Sequence, residues 1–262
     1  MKREVVAGCG QFDVLPGEVD RNLTAVEDLL PRFAEADCRL LVLPEMWSCS
    51  FPYPILGEMA ARTGEVLRRI EQWAATYSMV MVGSLPEAAG DRIYNTSFVV
   101  NIDGKVVGKY RKAHLFSLLD EHLHFGRGQS SLVCPTAVGN LGIMICYDLR
   151  FPELARRLAL DGAEILCISA QWPIERIDHW NTLVRARAIE NQLFVVACNG
   201  SGRENRLQYG GASAIVSPTG ALLSCTPPGG AIGIAALQFE EMENIRRRIP
   251  CFEDRVPKLY RL

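Results

Sequence analysis

Paired cysteines are missing from this 262-residue chain. Its nine cysteines, at positions 9, 38, 49, 134, 146, 167, 198, 225 and 251, are never closer than 11 positions, which excludes a C-x-x-C metal knuckle or redox pair. Excess charge is missing too. Twenty-eight Lys and Arg face 30 Asp and Glu, a formal net charge of −2, so no surface field points to nucleic acid or an anionic membrane as partner. No membrane span is expected, since a span needs about 20 mostly apolar residues. The uncharged stretch Leu207 to Phe239 is broken by Pro218, Pro227, Pro228 and repeated glycines, and reads as buried strands with hairpins. The opening MKREVVAGCGQF has only a short apolar run and reads as a first strand, not a signal peptide. Apolar residues at 48% rule out disorder, and the length rules out a disulfide-stapled miniprotein. The expectation is a cytoplasmic protein with reduced thiols, most of them small buried hydrophobes.

Alternating strand and helix patterns fill the chain twice. Val5–Gln11 reads as a strand, Asp20–Ala36 as a helix with Leu23, Val26, Leu29, Leu30 and Phe33 on one face, and Arg39–Leu43 as a strand ending before Pro44. Thr63–Tyr77 reads as a helix with Thr63 at its N-cap, and Met79–Gly83 as a strand. Ile93–Asn101 and Lys105–Lys109 form a hairpin turning at Asp103-Gly104. The order then recurs: strand Leu141–Cys146, helix Pro152–Leu160, strand Glu164–Ser169, helix Asp178–Gln192, strand Leu193–Asn199, and a hairpin of Ala212–Ser217 with Ala221–Cys225. CRLLVLPEMW (38–47) also aligns with AEILCISAQW (163–172) at a constant offset of 125. These patterns imply an α/β protein with largely parallel sheets made mixed by the hairpins. Two such sheets stacked face to face with helices outside form a four-layer α-β-β-α sandwich with internal pseudo-two-fold symmetry. The whole of 1–262 reads as one domain, with 240–262 as a C-terminal extension at the interface of a homodimer or higher homo-oligomer.

In α/β sheets functional groups gather beyond the carboxyl ends of strands. Glu45 follows the second strand, Lys112 follows the hairpin and Cys146 ends the first strand of the second half. A thiol, a carboxylate and an ammonium suffice for acyl transfer: nucleophile, proton carrier and oxyanion partner. The helix starting near Pro152 is a further source of positive potential for the thiolate. Each residue also has an ordinary reading: Cys146 as a core cysteine, Glu45 as a solvated loop carboxylate, Lys112 as part of the basic run Lys109–Lys112.

Three ordered segments carry a resemblance. LLVLPEMW (40–47), KYRKAHLF (109–116) and GIMICYDLRFPE (142–153) are similar to the signature segments of the nitrilase, or carbon–nitrogen hydrolase, superfamily, and SAQWPIERIDHWNTLVRARAIENQ (169–192) and RRRIPCFEDRVPKLY (246–260) extend the likeness. The resemblance implies the α-β-β-α nitrilase fold, no metal and no cofactor. It implies a triad of Glu45 as general base and acid, Lys112 as oxyanion partner and Cys146 as nucleophile. Glu121, in DEHLHFGRG (120–128), matches the second active-site glutamate, although the family's Pro-Gly is here Arg127-Gly128. The resemblance also implies that the Tyr147 N–H completes the oxyanion hole. Cys146-Tyr147-Asp148, where nitrilases have Cys-Trp-Glu, resembles the amidase branch, and Gln-Trp-Pro with His-Trp resembles bacterial omega-amidases. Those act on small amides such as 2-oxoglutaramate, 2-oxosuccinamate and succinamate, whose far end is a carboxylate. Arg150 is the candidate to hold it, against a structural ion pair with Glu153 or with the opposite half. Phe116, Tyr147 and Trp172 are the other candidate substrate contacts, and Trp47 matches Trp172 in the duplicated pattern. Deaminated glutathione or an N-carbamoyl compound remains an alternative substrate. A non-catalytic scaffold or a thiol redox sensor remains an alternative of another class. His122-Leu123-His124 reads as a loop pair and not a metal site, and His114 and His179 as structural.

Overall fold

The computed structural model describes residues 3–204 and 206–260. Its elements run β1 (Glu4–Gly10), α1 (Val19–Glu35), β2 (Leu40–Val42), α2 (Leu56–Ala61), α3 (Thr63–Tyr77), β3 (Val80–Ala89), β4 (Arg92–Val100), β5 (Val106–Arg111) and α4 (Glu121–His124). They continue as β6 (Val133–Thr136), β7 (Gly139–Ile145), α5 (Pro152–Leu160), β8 (Ile165–Ala170), α6 (Ile177–Asn191), β9 (Phe194–Asn199), β10 (Arg203–Glu204), β11 (Leu207–Gln208), β12 (Ala214–Val216), β13 (Leu222–Cys225), β14 (Ile232–Gln238) and α7 (Phe239–Arg248).

Two six-stranded mixed sheets result, in the orders β14-β1-β2-β3-β4-β5 and β13-β12-β9-β8-β7-β6. Each holds three central parallel strands, β1-β2-β3 and β7-β8-β9, flanked by antiparallel ones. The repeat expected from the offset of 125 is therefore real at the level of strand order. Its closing strand is shared: β14, at the end of the second half, pairs with β1 of the first from Glu4↔Gln238 to Gly10↔Ile232.

Side-chain alternation builds the layers. Val5, Ala7 and Cys9 of β1 and Leu40 and Val42 of β2 face inward and share one core with Leu141, Ile143, Ile145 and the strands of the second sheet. Leu41 and Leu43 face outward and pack with Leu23, Val26, Leu30 and Phe33 of α1 and with Val66, Ile70 and Trp73 of α3. Gly8 lets α1 approach, because a Cβ there would lie 2.6 Å from the Phe33 ring.

Three local readings differ from the sequence expectation. β3 runs on past Gly83 to Ala89 and pairs with β4 along its whole length. Pro86 is tolerated because it lies beyond the end of β2, where its missing N–H breaks no ladder bond. Thr63 is inside α3, not at its cap, and its hydroxyl donates to the Pro86 carbonyl. The extension 240–262 begins as α7 and folds back: Arg246 donates to the Gln192 carbonyl and Gln192 to the Ile249 carbonyl, while residues 261–262 lie outside the described residues. No helix among the described residues is long and apolar enough to cross a membrane.

Candidate active site

The carboxyl ends of β2, β5, β7 and β8 open on one side of the stacked sheets, and the residues that follow them meet there. Glu45, three residues past β2, is 1% exposed. Its Oε1 accepts Lys112 Nζ at 2.7 Å and Asn95 Nδ2 at 2.8 Å, and its Oε2 accepts the Gln171 N–H at 3.2 Å. Lys112, one residue past β5, is completely buried and also donates to Glu121 Oε1 at 2.8 Å. Glu121 begins α4, and its Oε2 accepts the Phe116 N–H at 3.1 Å. One ammonium is thus held between two carboxylates out of contact with water. Burial alone disfavours that ammonium, but the charges of Glu121 and Glu45 outweigh it and hold Lys112 well above the ordinary lysine value. Burial pushes Glu121 up; Lys112 opposes this and the like charge of Glu45 adds to it.

Cys146 follows β7 at a sharp turn, with φ at +45°. Such a conformation is strained for a side-chain-bearing residue and persists only where neighbours enforce it. Asp148 supplies the enforcement. Its buried carboxylate accepts the Ile145 N–H (2.9 Å) and the Tyr110 hydroxyl (2.8 Å) on one oxygen, and His114 through N–H (3.1 Å) and Nδ1 (2.7 Å) on the other. The thiol then faces Glu45 and Lys112. Burial, then the Glu45 charge, raises it well above the ordinary thiol value, against the pull of Lys112. The short helical turn starts at Cys146 itself, so the helix end nearest the sulfur is that turn and not α5.

Glu45, Glu121, Cys146, Tyr147, Phe116, Arg150 and Trp172 all line one small cavity, together with Phe51, Leu119, Gln171, Pro173 and Arg176. Lys112 lies beneath it. The Phe116 and Tyr147 rings meet at 4.8 Å. Trp172 is fixed by its Nε1 donating to the Arg176 carbonyl at 2.8 Å. Its repeat counterpart Trp47 is buried in the core and is not among the residues lining this cavity. Arg150 lies 4.6 Å over the Trp172 ring and reaches His179 Nδ1 at 3.3 Å; the expected alternative of an ion pair with Glu153 is not formed. Arg176 lies 5.8 Å over the Phe116 ring. Neither guanidinium has a carboxylate partner among the described residues. Burial lowers Arg150 from the ordinary arginine value, and the Arg176 charge pushes the same way.

Asn95, Gln171 and Arg176 were not singled out from the sequence. Asn95 is mid-strand and marked by nothing local. Gln171 stands at the same offset of 125 as Met46, one past Glu45, so the repeat was the signal that could have found it. His114 stacks on Phe151 at 3.6 Å and His124 on Tyr53 at 3.9 Å. Among the described residues no group of three or more His, Cys, Asp or Glu is disposed to hold a metal. Arg187 pairs with Glu190 within α6 and also donates to the Leu149 carbonyl in the turn that starts at Cys146.

Residues 6–247 match the carbon–nitrogen hydrolase family model. The chain is 35% identical over 258 residues to a 2-oxoglutaramate amidase of Bacillus subtilis (strain 168), covering 96% of this chain and 98% of that protein. It is 32% identical over 265 residues to a chloroplastic omega-amidase of Arabidopsis thaliana, covering 92% of this chain and 70% of that one. A solved carbon–nitrogen hydrolase of Helicobacter pylori G27 superposes with a TM-score of 0.94 at 26% identity, covering 99% and 97% of the two chains. The chain belongs to the carbon–nitrogen hydrolase family, and it is an enzyme that hydrolyses carbon–nitrogen bonds other than peptide bonds.

Proposed function

We propose that this carbon–nitrogen hydrolase is an omega-amidase, releasing ammonia from omega-monoamides of short dicarboxylates such as 2-oxoglutaramate, 2-oxosuccinamate and succinamate. One observation carries the reading: a buried carboxylate, Glu45, holds the buried ammonium of Lys112 at 2.7 Å and lines the same small cavity as the Cys146 thiol. The names of the relatives agree with it. The guanidiniums of Arg150 and Arg176 suit a ligand that ends in a carboxylate, since a paired carboxylate is what such groups lack here.

In this reading Cys146 Sγ bonds the amide carbon while Glu45 takes the thiol proton. Lys112 and the Tyr147 N–H stabilise the oxyanion. The C–N bond breaks as Glu45 returns the proton to nitrogen, leaving ammonia and a Cys146 thioester. Glu45 then deprotonates a water, which attacks the thioester; the C–S bond breaks, the thiol regains its proton and the acid departs. Glu121 holds Lys112 in place. Ammonia release across a panel of omega-monoamides tests the substrate. The expected result is turnover of amides carrying a distal carboxylate and none of N-carbamoyl compounds. Full turnover by Cys146→Ala would overturn the mechanism.

The chain is read as one domain, as a cytoplasmic enzyme on its scattered thiols, and as a homodimer. Exposed Ile249, Leu259 and Tyr260 in 240–262 support that segment as the contact. Sedimentation of the full chain, compared with one ending at Arg248, tests the dimer: loss of the dimer on truncation is expected.

A further inference from the structure

Glu204 ends β10 in the small hairpin with β11, and it is 8% exposed. Its carboxylate has no cationic partner among the described residues. Two hydroxyls satisfy it instead: Ser50 Oγ at 2.5 Å and Tyr209 OH at 3.0 Å, both on Oε2. A buried carboxylate answered only by neutral groups is costly, so its place calls for a reason beyond packing. The hairpin that brings it is moored to the site, because Gly210 donates to the Trp172 carbonyl at 2.9 Å and Tyr209 bridges to Pro173.

The reason lies in which way the hydrogens point. An ionised carboxylate only accepts, and a serine hydroxyl has one proton. Ser50 therefore gives that proton to Glu204 and must accept from its other neighbour, Gln171. Gln171 Nε2 lies 3.1 Å from Ser50 Oγ, and the same nitrogen donates to the Glu45 carbonyl at 2.9 Å. Both hydrogens of that amide are then committed; Gln171 Oε1 also lies 3.3 Å from Ser50 Oγ, but the one Ser50 proton goes to Glu204, and a flipped amide would set Oε1 against the Glu45 carbonyl oxygen, two acceptors that cannot bond. The Gln171 backbone N–H meanwhile donates to Glu45 Oε2. Gln171 thus grips Glu45 by main chain and by carboxylate at once.

We propose that Glu204 is a positioning residue for Glu45, acting through the one-way hydrogen-bond chain Glu204–Ser50–Gln171. It touches neither thiol nor substrate. The inference rests on the reading of Glu45 as the base for Cys146, and its test separates the two.

The readout is alkylation of Cys146 by iodoacetamide, followed by mass spectrometry of the peptide carrying it because Cys225 is also exposed. Alkylation needs no amide substrate; kcat and KM are read beside it from ammonia release. Glu204→Ala is expected to slow alkylation and lower kcat by about tenfold, with KM changed less than about twofold, as a misplaced but intact base requires. Glu204→Gln keeps an acceptor oxygen for Ser50 and is expected to restore most of both rates. Ser50→Ala cuts the chain at its next link, and combining it with Glu204→Ala is expected to add nothing further. Normal alkylation and kcat in Glu204→Ala, or additive effects in the double variant, would overturn the proposal. Normal alkylation in Glu45→Gln would instead overturn the reading beneath it. If Glu204→Ala does not fold, Ser50→Ala with Glu204→Gln decides: a slowed Ser50→Ala supports the chain, and an unaffected one overturns it.

Discussion

Lys112 is completely buried between two carboxylates, so a neutral side chain in its place would leave two like charges facing each other in a dry pocket. Lys112→Met is expected to lose activity and about 3–5 kcal/mol of stability, read from urea unfolding beside the ammonia assay. Arg176 gives a different signature. Its replacement by Ala is expected to raise KM for succinamate about 10–100-fold, the worth of one charged hydrogen-bond pair, while leaving a neutral amide such as propionamide unaffected. Equal losses on both amides would remove Arg176 from substrate recognition. Glu45, Lys112 and Cys146 stood out in the sequence because each lies at or just past a strand end inside a signature segment, whereas Glu121 stood out only through its likeness to the family's second active-site glutamate. Asn95, Gln171 and Arg176 did not, because their contacts come from chain segments far away. Gln171 alone touches Glu45 across 126 positions.

At the scale of elements, an ion pair links the two sheets' starting edges. Glu164, just before β8, accepts Arg3 at 2.6 Å and the Asn140 N–H at 2.9 Å. Burial pushes this carboxyl up, but Arg3 and the Asn140 N–H more than offset it and hold it below the ordinary glutamate value. A depressed folded value means the native state favours the ionised form. That contribution is fully present above the ordinary value and is lost as pH falls through the depressed one. Glu164→Gln is therefore expected to lower stability near neutrality and to flatten its decline on acidification, measured as thermal midpoint against pH. Strands with a continuous apolar run, such as β8, β9 and most of β7, were readable by pattern. The far half of β3 was not, since Pro86 and Glu87 look like loop, and only the absence of a neighbour beyond β2 makes them tolerable. β14 was not singled out within the uncharged stretch 207–239, nor was its pairing with β1, since register across more than 200 positions leaves no local mark.

Over the whole molecule, the duplicated pattern was the most informative single sign. It implied two sheets, their stacking, and a site where their strand ends converge. It did not reveal that the second half completes the first half's sheet. A chain ending at Ala231 lacks β14 and leaves β1 as a bare edge, and edges of that kind invite aggregation. Such a chain is expected to be insoluble or protease-sensitive, whereas one ending at Arg248 keeps the sheet and is expected to fold.

The pairing of β1 with β14 also sets an order of events in the cell. β1 leaves the ribosome more than 200 residues ahead of its partner β14. At about 5–20 residues per second, the strand waits tens of seconds with one edge unmatched. Folding from the N-terminus onward therefore cannot close the first sheet before the second half has been made, and the nascent chain carries an open strand edge for that interval.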